Sequence, residues 1–401
     1  MKYIIVLGDG MADEPVDSIG GRTALQAAQT PNMDALAKVS ELGLAYMVPE
    51  GMAPGSDTAN LSVLGYDPVK YYSGRSPLEA LSIGVDLEDT DVSFRCNLVT
   101  LSEEEDSYDK RRILDHSSGE ISSEDAKVLV DALKEGLQKE GYEFYAGTSY
   151  RHLLVWKKGQ VMELTPPHDI LTRQIGDYLP EDPVLREMMV KSYEILNQHP
   201  LNLKRAAEGK NKANSAWFWG AGTRPALTSF SEKTGKKGVM VSAVDLLKGI
   251  AAGAGMKNLT VEGANGGLHT NYKGKAQAAT DALLKEGDDF AYIHVEAPDE
   301  MGHQGNIQNK IEAIEYIDDQ VIGTVRKAFS EAEEDYRMLV LPDHPTPVSV
   351  RTHTGGPVPY MLYDSREEKT GCASYDEDTA KSSGLVYREG YQLISHLLQE
   401  K

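Results

Sequence analysis

The chain is 401 residues long, 40% hydrophobic and 26% charged, with a formal net charge of −21. That length admits two domains or one large domain with an insertion, and the composition is that of an ordinary globular chain. The acidic balance argues against nucleic acid and anionic membranes as partners, and Cys96 and Cys372 alone cannot build a disulfide framework, which favours a reducing compartment.

The first apolar run, Tyr3-Ile4-Ile5-Val6-Leu7, stops at Gly8-Asp9. It is far too short to span a bilayer and carries no cleavage-like site, so it reads as a buried first strand, with the cytoplasm as the default location. A helix is expected from Thr30 to Glu41, with Thr30 as N-cap and Pro31 at its first position. Further helices are expected near Ser123–Glu140, with Ala126, Val128, Leu129, Leu133 and Leu137 on one face, and near Pro183–Asn197 and Val244–Ala254. The longest should run from Ile307 to Phe329. Strands near Val239–Ser242, Phe290–Val295 and Met338–Leu341 alternate with these helices, a doubly wound α/β pattern.

Between about Leu87 and Tyr178 the texture changes. Short strand-like runs at Val92–Leu101, Arg112–Leu114, Tyr142–Ala146, Leu153–Trp156 and Val161–Leu164 surround one helix, separated by acidic and Ser-rich loops. Such a block reads as a smaller α+β subdomain at 88–178, inserted into a core formed by 1–87 and 179–401.

Seven residues at strand ends and in turns then combine into one chemistry. Asp9 follows the first strand, and Ser56 lies in the turn-rich stretch Pro54-Gly55-Ser56-Asp57-Thr58-Ala59-Asn60. Asp299 and His303 follow Phe290–Val295. Asp343-His344 follows Met338–Leu341, and His353 comes shortly after. A lone Asp after a strand is usually a turn former and a lone His is usually solvated. Carboxylates and imidazoles at several strand ends, with a serine among them, instead suit a two-metal phosphoryl-transfer site. The set has no thiolate, which disfavours a closed zinc site and suits manganese or catalytic zinc, magnesium less well because of the histidines.

The order and spacing resemble the cofactor-independent phosphoglycerate mutases of the archaeal-type branch, within the alkaline phosphatase superfamily. The resemblance is carried by Gly8-Asp9-Gly10-Met11-Ala12-Asp13, Thr30-Pro31-Asn32-Met33-Asp34, Pro54 to Leu61, Gly74-Arg75-Ser76-Pro77-Leu78-Glu79-Ala80, Asp299 to His303, and Pro342-Asp343-His344 through His353-Thr354. It implies an alkaline-phosphatase-like core, a phosphoserine intermediate at Ser56, and two divalent ions, usually manganese, with magnesium, zinc or cobalt as alternatives. It implies that Asp9, Ser56, Asp343 and His344 hold one ion and that Asp299, His303 and His353 hold the other. No 2,3-bisphosphoglycerate is needed, and the substrate is a small phosphorylated acid, bound in a cleft between core and insert.

An acidic protein that binds such a substrate needs local cations. The candidates are Arg95, Arg151, His152, Arg224 and Lys275, with His116 as a proton carrier. Arg95, Arg151 and His116 join Ser56 as expected catalytic residues. In two places the chain departs from the family pattern: Trp217-Phe218-Trp219-Gly220 stands where an arginine usually precedes the Gly-Ala-Gly turn, and Cys96-Asn97 follows Arg95 where bacterial mutases put an acidic group directly after the arginine. The three aromatics read most simply as a core strand. The expected activity is interconversion of 3-phosphoglycerate and 2-phosphoglycerate. A homoserine-kinase-like phosphotransferase and a metal-dependent phosphohydrolase of the same superfamily stand as alternatives.

Overall fold

A computed structural model describes residues 1–399 of the chain. Its strands in chain order are β1 (Lys2–Gly8), β2 (Glu41–Ala45), β3 (Val92–Leu101), β4 (Ile113–Asp115), β5 (Tyr142–Tyr145), β6 (Arg151–Trp156), β7 (Ser215–Thr223), β8 (Gly238–Val241), β9 (Lys257–Leu259), β10 (Phe290–Val295), β11 (Tyr336–Leu341), β12 (Val358–Asp364) and β13 (Val386–Tyr387). They belong to two compact units, one formed by Met1–Tyr72 with Ala226–Lys401 and one by Ser73–Pro225. Among the described residues no helix is long and apolar enough to cross a membrane.

The first unit is built on an eight-stranded sheet ordered β13-β2-β12-β11-β1-β10-β8-β9. β1 is parallel to both neighbours, with Tyr3 opposite Phe290 on one side and Lys2 opposite Tyr336 on the other. A central parallel strand is covered on both faces, which is why its sequence is a continuous apolar run without alternation. On one face Ile4, Val6, Ile293 and Val340 pack with Ala276, Ala279 and Leu283 of the helix Tyr272–Leu284 and with Ile314 and Val325 of later helices. Tyr3, Ile5 and Leu7 on the opposite face are equally buried. Because β1, β10 and β11 run parallel, their C-terminal ends meet at one edge of the sheet. Ligands of open α/β sheets bind at such an edge.

The second unit holds a five-stranded antiparallel sheet in which β3 is central, paired with β6, β7 and, at its far end, β4. Its core draws Phe94, Leu98, Leu129, Leu133, Leu185, Met189, Trp217 and Phe218 from the sheet and from the helices Ser123–Gly136 and Pro183–Asn197. This is the α+β texture expected of the insert, over a wider span than 88–178. β7 pairs along nearly the whole of β3, the helix Pro183–Asn197 packs on β7, and the helix Arg75–Ser82 packs on both strands. These contacts carry the unit out to Ser73 and Pro225.

The structure corrects several local expectations. Val161–Leu164 is not a strand: both sides of β6 are taken by β3 and β5, the run pairs with no strand, and Val161 is exposed. Val128 faces solvent while Val130 takes the buried place, since Ala126, Leu129, Val130 and Leu133 form the i, i+3, i+4, i+7 stripe and Val128 falls off it. The long helix is three pieces, Ile307–Tyr316, a π-helical turn at Ile317–Ile322, and Gly323–Ala332. The helix expected to begin at Thr30 is short, Pro31–Ala37.

Candidate metal centre and nucleophile

The parallel edge of the first unit brings together all seven residues singled out at the strand ends. Gly10, φ +59°, turns the chain just past β1 in the left-handed region. A Cβ there would lie 2.6 Å from Asp299 Oδ1 and 2.5 Å from Thr346 Oγ1, so only glycine fits. The turn presents Asp9, whose Oδ1 stands 3.6 Å from His344 Nε2. Asp343 accepts from the backbone N–H of Gly10 at 3.2 Å and of His344 at 2.9 Å, which ties the ends of β1 and β11 together. Ser56 opens the helix Ser56–Val63, and its Oγ lies 3.1 Å from His344 Nε2. A little further along, His303 Nε2 lies 3.1 Å from Asp299 Oδ2, His353 Nε2 lies 3.4 Å from Asp299 Oδ1, and the two imidazole nitrogens are 3.0 Å apart.

Two sets of ligand atoms gather closely enough to hold an ion each. They are Asp9 with Asp343 and His344, and Asp299 with His344 and His353, so His344 reaches both. The hydrogen-bonding groups around them agree with a cation. The Thr346 hydroxyl donates to Asp299 Oδ1 at 2.5 Å, so at 3.3 Å from His344 Nδ1 it can only accept. That leaves the lone pair of His344 Nε2 facing Ser56, Asp9 and Asp343. His303 Nδ1 donates to the Arg351 carbonyl at 3.1 Å, which aims Nε2 at Asp299 and His353. Asp9 Oδ1 is buried without a hydrogen-bond partner. Burial, with Asp343 and Asp299 close by, holds the Asp9 carboxyl well above the usual range. A hydrogen bond to Asp299 lifts His303 to about 9. Crowded carboxylates, an orphaned oxygen and facing lone pairs are what divalent cations resolve.

Several residues that shape this site were not among the expected ones. His294 on β10 donates from Nε2 to Asp9 Oδ2 at 3.0 Å and accepts at Nδ1 from Ser242, 3.1 Å away; burial and the nearby Lys275 lower it to about 3, so the ring is neutral. Asn60, fully buried, donates to Asp343 Oδ2 at 2.9 Å and to the Ser56 carbonyl at 2.8 Å, and accepts from the Tyr292 hydroxyl. Lys310 joins Asp13 at 2.8 Å and the carbonyls of Ala12 and Thr346, clamping two of the loops. Their only sequence signal is a polar side chain inside an apolar run, as with His294.

The expected substrate contacts are placed unevenly. In the second unit Arg95 is buried, 3.0 Å from Glu79, with its guanidinium 4.3 Å over the Trp219 ring. Burial, partly offset by Glu79, lowers it to about 10, still charged at neutral pH. His116 is half-buried, its ring 5.8 Å from Tyr150 and 6.0 Å from His168. Arg151 and Arg224 are exposed, and Arg224 donates to the Leu87 carbonyl at 3.1 Å. His152 is buried: its Nδ1 accepts from the Gly147 N–H at 3.0 Å, and burial lowers it to about 3. Lys275, in the first unit, is fully buried, its Nζ donating to the His294 carbonyl at 3.0 Å, and burial lowers it to about 8. It supports β10 from within and offers no open face to a ligand.

A hydroxyl set among clustered carboxylates and imidazoles at the C-terminal ends of parallel strands defines a phosphoryl-transfer class of protein. Known proteins narrow the class. The family model of 2,3-bisphosphoglycerate-independent phosphoglycerate mutase matches residues 37–202. The chain is 48% identical over 409 residues to the 2,3-bisphosphoglycerate-independent phosphoglycerate mutase of Methanosarcina barkeri, covering 100% of both chains. It is 46% identical over 404 residues to phosphoglycerate mutase 2 of the same type from Methanothermobacter thermautotrophicus, covering 99% of this chain and 97% of that one. Among solved structures it resembles a protein of Pyrococcus horikoshii (TM-score 0.82, 30% identity, covering 100% of this chain and 98% of that one). It also resembles the cofactor-independent phosphoglycerate mutase of Thermoplasma acidophilum (TM-score 0.64, 28% identity, 100% and 99% covered). The chain belongs to the 2,3-bisphosphoglycerate-independent phosphoglycerate mutases.

Proposed function

We propose that the chain interconverts 3-phosphoglycerate and 2-phosphoglycerate in the cytoplasm through a phosphoserine at Ser56. The observation that carries this reading is the Ser56 hydroxyl, 3.1 Å from His344 Nε2 inside the carboxylate–imidazole cluster, in a chain that matches the mutases end to end. In the forward half, Ser56 Oγ forms a bond to the phosphorus while the bond from phosphorus to the glycerate oxygen breaks. Glycerate is retained and turned, and its other hydroxyl then takes the phosphoryl group back from Ser56. The substrate is its own phosphoryl donor, so no bisphosphorylated cofactor is required.

Asp9, Ser56, Asp343 and His344 would hold one divalent ion and Asp299, His303 and His353 a second, with His344 also in reach of the latter group. Manganese is the first choice for this mixed donor set, with magnesium, zinc or cobalt as alternatives. When bound, such ions supply the positive charge that lowers the pKa of a serine hydroxyl and neutralises phosphoryl oxygens. The chain's own groups do the rest. Ser56, first residue of its helix, has the positive end of the helix dipole behind it. Asn60 and His294 fix the orientation of Asp343 and Asp9. We assign the holding of glycerate to Arg95 and Arg151, with His152 and Arg224 alongside them, and the movement of the glycerate hydroxyl proton to His116. Lys275 acts from behind β10 by fixing the His294 carbonyl.

The test is an enolase-coupled assay with 3-phosphoglycerate, run on protein stripped with chelator and then resupplied with manganese. Turnover should vanish on stripping and return with the ion, with little free phosphate released. Full activity in excess chelator would defeat the reading. Release of phosphate in place of enolase product would make the protein a phosphohydrolase.

A further inference from the structure

The departure at Trp217-Phe218-Trp219 has a second aspect within the second unit. β7 pairs with β3 so that Trp219 lies opposite Arg95, and the indole is nearly buried against it, with the guanidinium 4.3 Å from the ring centre. The indole Nε1–H donates to Asn97 Oδ1 at 3.0 Å. An indole N–H is a donor only, so it determines which way the buried Asn97 amide faces. The other end of that amide, Nδ2, donates to the main-chain carbonyl of His116 at 3.3 Å.

The loop that receives this hydrogen bond is under strain. Ser118, Gly119 and Glu120 all have positive φ, at +52°, +68° and +50°. A non-glycine residue in the left-handed region is strained, and it persists only where its surroundings over-determine it. The surroundings do so here. Asp115 accepts from the N–H groups of Ser117 at 2.8 Å and Gly119 at 2.5 Å, and Arg205 donates to the Ser118 carbonyl at 3.0 Å. Asn97 holds the His116 carbonyl, two residues before this strained run. The same indole meets the ring of His168 in a T-shaped contact, centroids 5.3 Å apart, and His168 in turn meets His116 at 6.0 Å.

We infer that Trp219 is a positioning residue. Its ring seats the Arg95 guanidinium, and its N–H, relayed through Asn97, holds the loop that presents His116. The inference rests on the mutase reading, in which Arg95 holds the anionic acid and His116 moves a proton. One side chain thereby couples the group that holds the phosphorylated acid to the group that serves its hydroxyl. The fully buried neighbour Trp217 does neither: its Nε1–H goes to the Thr165 carbonyl at 2.8 Å.

The two roles separate by substitution. Trp219→Phe keeps a ring for Arg95 and removes the N–H. It should lower kcat about tenfold, change KM less than about twofold, and speed amide exchange in residues 115–120. Asn97→Ala should do the same, and the double variant should be no worse than either single one, because both cut one relay. Trp219→Leu should in addition raise KM about tenfold, through loss of the seat for Arg95. Trp217→Phe is the control for packing and should leave both kinetic constants within about twofold. If Trp219→Phe does not fold, Asn97→Ala carries the test. Wild-type kcat in Trp219→Phe, unchanged exchange at 115–120, or losses that multiply in the double variant would each overturn the inference. A wild type without mutase turnover would refute the parent reading instead, and the exchange measurement would still decide whether the relay holds the loop.

Discussion

At the scale of single residues, the site is a set of groups that suit one another only in this arrangement. Ser56 is the clearest case, since no other hydroxyl in the first unit's cluster is free to accept a phosphoryl group. Thr346 has its proton committed to Asp299. Ser56→Ala should therefore abolish mutase turnover and the transfer of radiolabelled phosphate from substrate to protein, while manganese binding, followed by calorimetry, persists at reduced affinity. Label appearing on a histidine would contradict the mechanism. A second residue sets the pH response. Glu377 is buried and accepts from the Asp13 N–H at 3.1 Å and the Thr23 hydroxyl at 2.6 Å; burial raises it from an ordinary 4.5 to about 7. The folded state then binds the proton more tightly than the unfolded state. Its contribution is whole below pH 4.5 and is lost as pH rises through 7. Glu41 has the opposite sign. Hydrogen bonds from His396 and Lys369 lower it to about 2, so its contribution is whole above pH 4.5 and is lost as pH falls toward 2. Glu377→Gln should flatten the decline of the melting midpoint between pH 4.5 and 7 and leave the acid side unchanged. An identical slope in that window would remove Glu377 as its source.

At the scale of elements, the helix Pro31–Ala37 shows how a cap can be supplied from a distance. Thr30 occupies the N-cap position, as the sequence suggested, but its side chain makes no capping hydrogen bond. The first-turn N–H groups of Asn32 and Met33 donate instead to the carboxylate of Asp318, at 3.1 and 2.6 Å. Asp318 lies in the π-helical turn Ile317–Ile322, and the wider turn is what interrupts the regular period of the long helix there. Asp318→Ala would leave those donors and the Asn32 amide without their acceptor, and should cost roughly 2–3 kcal/mol in urea unfolding, the scale for buried bonds to a charged group. Thr30→Ala should cost less than about 0.5 kcal/mol, since it removes no cap. Equal losses in the two variants would return the cap to Thr30.

At the scale of the molecule, three chain segments distant in sequence converge at the C-terminal ends of the parallel strands β1, β10 and β11 and bring carboxylates against one another there. Binding of the ions to the folded state alone should raise its stability, by about 2.7 kcal/mol at a hundredfold excess over Kd. A manganese titration followed by thermal unfolding should show the midpoint rising with the logarithm of ion concentration, and His303→Ala should weaken that rise. A midpoint independent of manganese would leave the carboxylate cluster without its counter-charge.

Much of this protein was legible in its residues. A buried parallel strand needs a continuous apolar run, and the sharp ends of β1, β10 and β11 at Asp9, Pro298-Asp299 and Pro342-Asp343 marked where the sheet delivers its polar groups. Periodicity also located the helices Ser123–Gly136 and Pro183–Asn197 to within a few residues. What belongs to pairing partners was not legible. The second unit reaches Ser73 and Pro225 because β7 finds β3 more than a hundred residues earlier in the chain, a contact that leaves no local trace. The same holds for His294 behind Asp9, Asn60 behind Asp343, Asp318 capping another helix, and Trp219 seating Arg95. A strand or a helix is written in the spacing of its own side chains. The partner of a buried polar group is chosen only when the chain folds back and desolvation leaves that group one place to donate or accept.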